Sequence, residues 1–81
     1  MRTARIDAQL ERDFAVEDHA RAVALIDQIG AELDTWKIVS QNDTVEAAAL
    51  TYANGDLERL ERAVALALRD WRDLLVLVRG G

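Results

Sequence analysis

The sequence has no cysteine and no proline, only four glycines and one histidine, and aromatic residues make up just 5% of it. Each shortage excludes something. Without cysteine there is no disulfide framework, no thiolate nucleophile and no sulfur-ligated zinc, and the simplest location is the cytoplasm. With one histidine, a two-histidine metal site within one chain is impossible. Ser40 and the four threonines have no histidine nearby in sequence. There is neither a Gly-x-Ser-x-Gly turn nor a glycine-rich phosphate loop. Lysine and arginine total 10 against 15 acids, a formal net charge of -5. The arginines are interleaved with acids rather than gathered, so the basic stripe that binds phosphate backbones through counterion release is missing and nucleic acid is not an expected partner. No run approaches the ~18 apolar residues of a membrane span. The opening MRTARIDAQLERDF is charged throughout and lacks the apolar core of a signal peptide, so neither membrane insertion nor secretion is expected.

What is present favours helix. Alanine, leucine, arginine and glutamate dominate, all strong helix formers, and no proline interrupts them. The 81 residues make one domain, and 51% of them are hydrophobic. Fourteen are alanines, however, each offering little area at roughly 25 cal/mol per Å² of apolar surface buried. A domain this small buries only about 60 to 65% of the surface its unfolded chain exposes, so its core is modest.

The apolar spacing predicts helices over residues 4–13, 16–29, 43–53, 57–68 and 70–78, with a loop over 31–42. Ile6, Leu10 and Phe14 recur every four positions. In the second helix Glu17 and Asp18 suit the positive end of the dipole, Ala22, Leu25, Ile26, Ile29 and Leu33 form one face, and Gly30 serves as the C′ residue that ends it. Residues 31–42 are expected to form a loop that carries Trp36 inward. Ser40 with Asp43, or Asp43 with Glu46, suits a capping-box start to the third helix. Asn54 and Gly55 end that helix, Gly55 taking positive φ, and Asp56 caps the next. Leu57, Leu60, Val64, Leu68 (or Ala67), Trp71, Leu75 and Val78 then fall three or four apart, with the i,i+4 pair Glu58–Arg62 on the opposite, wet side. Asp70 with Asp73 suits a second N-cap, so 57–78 reads as one helix or as two with a break near Arg69.

Residues 74–78, LLVLV, leave the chain's last turns apolar on most sides, the pattern of a helix buried on more than one face. The plainer reading makes residues 57–78 the central element of the bundle. The sharper one makes part of Leu74, Leu75, Val76, Leu77 and Val78 an interface that relieves a small core through self-association. His19, at the edge of the second helix's apolar face, reads as a satisfied histidine rather than a base or ligand. Asp43 with Glu46, Glu58 with Glu61 and Asp70 with Asp73 have the spacing of a carboxylate-bridged metal. No Glu-x-x-His accompanies them, so capping and solvated faces account for the acids. Trp36, Tyr52 and Trp71 read as core aromatics before binding anchors.

The stretch GDLERLERAVALALRDWRDLL, residues 55–75, resembles the ending of a group of short bacterial proteins known mainly as uncharacterised open reading frames. They share a GDL start, leucines at helical spacing and a final DYRDVL or DWRDLL. Upstream, FAVEDHARAVALIDQIG is similar in style to their second segment, with Val16 where a helix-starting proline is expected. The resemblance covers about half the chain. It implies a bacterial origin and a helical fold, and it implies no catalytic or binding residue. The reading is therefore all-α, a small antiparallel bundle of four or five short helices. No enzymatic activity and no cofactor, metal or small-molecule ligand is expected. The expected function is protein interaction, as a homodimer or with another protein. The alternative is an acidic toxin-neutralising or immunity-like module that complements a basic protein partner.

Overall fold

The computed structural model of the chain describes residues 3–35 and 42–80. Within them the chain forms four helices, α1 (Ala4–Asp13), α2 (Val16–Thr35), α3 (Asn42–Ala53) and α4 (Leu57–Gly80), and no strand. Their Cα atoms have a radius of gyration of 11.3 Å.

Helix α1 starts at Thr3, whose Oγ1 accepts a 3.3 Å hydrogen bond from the N–H of Ile6 and so satisfies one of the first turn's orphan donors. Its four-residue line enters the core whole, since Ile6, Leu10 and Phe14 are all buried. Phe14 leaves the helix in extended backbone, and only Ala15 separates it from α2.

Helix α2 buries Ala22, Leu25, Ile26, Ile29 and Leu33, the face expected from spacing. Its length corrects the expectation. Gly30 does not end it. The helix continues to Thr35, whose hydroxyl donates to the Ala31 carbonyl at 3.0 Å, so residues 31–35 of the expected loop are helical. Gly30 has a packing role instead. It is buried, and a Cβ there would lie 3.2 Å from Glu46 Oε2 of α3. The missing side chain lets the two helices bring a carboxylate between them. Trp36 and Ser40 lie outside the described residues.

Helix α3 begins at Asn42, which puts Asp43 inside the helix rather than at its cap. Val45, Ala48, Ala49, Leu50 and Ala53 are buried together with Glu46, which is 1% exposed. At 100° per residue these positions span an arc of about 200°, a little over half of the helix circumference. The short α3 touches each of the other three helices, as α2 does, and has the largest buried share of any helix among the described residues. The burial of Glu46 corrects its reading as a solvated or capping acid. Alanines make the enclosure possible, because small side chains let neighbouring helices approach closely on several sides.

The NGD turn joins α3 to α4. Asn54 (φ 49°) and Gly55 (φ 83°) both take left-handed backbone, and Asp56 Oδ1 accepts from the N–H groups of Glu58 at 2.9 Å and Arg59 at 3.3 Å. Arg59 closes the turn from the far side. Its Nε donates to the Tyr52 carbonyl at 3.0 Å, and its guanidinium lies 4.6 Å from the Tyr52 ring centroid.

Helix α4 is one element with a break. Asp70 departs from helical backbone (φ -160°, ψ 102°), and its Oδ1 accepts from the Arg72 N–H at 3.0 Å, so it caps residues 71–80 as a new helical segment. On the outer face Arg62 reaches Glu58 at 3.4 Å, and Arg21 of α2 reaches Glu61 at 3.5 Å.

Candidate interaction surface

The inner face of α4 buries Leu60, Ala63, Val64, Ala67 and Leu74. Leu57, Leu68, Trp71, Leu75 and Val78 are only partly buried. The stripe read from the large side chains is thus displaced toward Ala63, Ala67 and Leu74. Of the two alternatives at this turn, Ala67 faces the core together with Ala63, while Leu68 and Leu75 flank it.

This displacement sorts the five candidate interface residues. Leu74 is fully buried and cannot be surface, which corrects its inclusion. It packs on the chain's own core and anchors residues 71–80 to it. Leu75 and Val78 are half-buried, while Val76 is 67% and Leu77 48% exposed. What remains is a narrow outward patch of Val76 and Leu77, flanked by Leu75 and Val78. Arg72 lies one turn before Val76, its guanidinium 5.5 Å from the Trp71 ring.

A second feature lies where α1 hands over to α2. Glu11, Phe14, Val16, His19 and Ala20 line an open groove of about 420 Å³. Periodicity reading missed it, because it arises at the corner between two helices and not on the face of either. The signal that was available is Val16, an aliphatic residue in the first turn of a helix and now 92% exposed. The groove's base is apolar, from Phe14, Val16 and Ala20, and its polar groups are the Glu11 carboxylate and the His19 imidazole. Arg12 and Arg21, the nearest cations in sequence, are directed to other acids, Asp13 at 3.3 Å and Glu61 at 3.5 Å.

The acid pairs three residues apart do not converge. Glu58 and Glu61 each meet a different arginine, Asp70 caps a helix, and Glu46 is buried between α2 and α3. Among the described residues no three of His, Asp and Glu come together in the manner of a metal site. Of the aromatics, Tyr52 and Trp71 are partly buried against the core and Phe14 is within it. No described helix is long and apolar enough to cross a membrane. No protein-family model, curated protein or solved structure matches the chain.

Proposed function

We propose that this chain is a small protein-interaction module, a bundle of antiparallel helices that presents the outward face of α4 to a protein partner, a second copy of itself in the first place. The observation that carries the reading is the exposure of Val76 and Leu77, 67% and 48%, on a segment held in place by the buried Leu74. Neighbouring exposed aliphatics on an anchored helix mark a contact surface better than scattered ones do. A small core gives a further reason, since association adds buried area that a short chain cannot supply alone. The two-residue turn at Asn54 and Gly55 supports antiparallel α3 and α4, because short connections join neighbouring helices in opposite directions. The reading assigns no catalytic residue, cofactor or nucleic acid.

The test is molar mass by light scattering over a concentration series, for the native chain and for Val76→Glu/Leu77→Glu. Both side chains are exposed, so circular dichroism should show helix content unchanged. A native dimer that becomes a monomer in the double variant supports the reading. Identical association in the two proteins sinks it.

A further inference from the structure

We infer that the groove between α1 and α2 is the seat for the α4 patch of a second copy, so that two chains pair about a two-fold axis with each α4 end lying in the other's groove. The inference rests on the self-association reading above and adds which surfaces meet.

The chemistry of the two surfaces is complementary. The groove offers an apolar base of Phe14, Val16 and Ala20 beside the carboxylate of Glu11, with Glu17 and Asp18 in the first turn of α2. Its natural occupant is an aliphatic side chain accompanied by a cation. Among the described residues the exposed large aliphatics are Val16, Val76 and Leu77, so beyond the groove itself they are confined to the α4 patch. The cation stands beside them: Arg72 is exposed and, at i,i+4, on the same side of the helix as Val76.

Among the described residues, the α4 patch of the same chain does not reach the seat. Helix α4 packs on α2 and α3 and makes no close contact with α1, which forms one wall of the groove. Leu74, fully buried, holds residues 71–80 where they are. Size then argues for two-fold pairing. A stable interface buries about 800 Å² per partner, roughly a sixth of the 4987 Å² this chain exposes. One helix end over one groove falls short of that, and an isologous pair makes the same contact twice.

The experiment is sedimentation equilibrium of the full chain, alone and as Val16→Glu and Val76→Glu, followed by an equimolar mixture of the two variants. The expected result is a native dimer, with each variant associating at least tenfold more weakly. The mixture should associate more tightly than either variant alone, because one of its two contacts joins an intact groove to an intact patch. A charge exchange adds a second readout: Arg72→Glu should weaken association and Glu11→Arg in the same chain should restore it. If Val16→Glu associates like the native chain while Val76→Glu does not, the groove is not the seat, yet self-association through α4 stands. If Val76→Glu associates like the native chain, or if the native chain is monomeric at the highest concentration, both ideas fall.

Discussion

At the scale of single residues, two glycines do opposite work and should respond differently to the same substitution. A Cβ on Gly55 would lie 2.9 Å from the Asp13 carbonyl oxygen, a backbone atom that can yield only by moving the end of α1, and Gly55 also holds φ at 83°. Gly55→Ala therefore costs about 2 kcal/mol or more, from the left-handed backbone and the clash together. At Gly30 the neighbour is a side-chain oxygen at 3.2 Å, and alanine gains about 1 kcal/mol of helix propensity. Gly30→Ala should accordingly stay within about 1 kcal/mol of the native chain. Urea unfolding midpoints at constant slope decide both. Leucine at 74 offers a sharper contrast with its neighbours. Leu74→Ala empties a fully buried site and should cost about 2 to 5 kcal/mol. Val76→Ala, at an exposed position, should leave the stability of a dilute monomer within about 0.5 kcal/mol. Equal effects from the two would contradict the placement of the inner face.

Elements depend on their ends. The break at Asp70 ends the hydrogen-bonded run of α4, and the carboxylate that accepts from Arg72 restarts it. Asp70→Ala removes that acceptor and should lower stability by about 1 kcal/mol, while Asp70→Asn, which keeps an oxygen in place, should cost clearly less. If the alanine variant were the more stable, the helix would prefer to run straight and the cap would not be what holds the break. The exposed ion pairs matter less at this scale. Arg21–Glu61 joins α2 to α4, but both side chains are about half exposed, so Arg21→Ala should change the unfolding midpoint only slightly. Helices α1 and α2 owe their order to one-sided apolar faces. Such faces repeat at the helical period, and this is why Ile6, Leu10 and Phe14, then Ala22 through Leu33, were readable before any packing was known. Helix α3 shows that signature less clearly because its buried arc, about 200°, is wide. Its exposed strip, carrying Thr44 and Thr51, is narrow and weakly polar, and a buried Glu46 further disguises the inner face.

For the whole molecule, the consequence of the proposed pairing is that stability is tied to concentration. A dimer that dissociates on unfolding melts at higher temperature as protein concentration rises, by mass action. The native chain should show that dependence, and Val76→Glu/Leu77→Glu should lose it while keeping the same helical signal. A melting temperature independent of concentration in the native chain would place all of its stability within one copy.

Helix content, the NGD turn, the cap at Asp56 and the buried faces of α1 and α2 follow from residue types and spacing alone, because these are local: backbone conformation, a carboxylate one turn away, side chains repeating every three or four positions. The extension of α2 through Gly30, the burial of Glu46 and Leu74, the place of Ala63 on the inner face of α4, the choice of Ala67 over Leu68 and the groove at the α1–α2 corner were decided only by tertiary packing. Each depends on what a residue meets from a distant part of the chain. A glycine reads alike whether it ends a helix or makes room for another, and a leucine reads alike on either side of a kink until the neighbouring helices are in place.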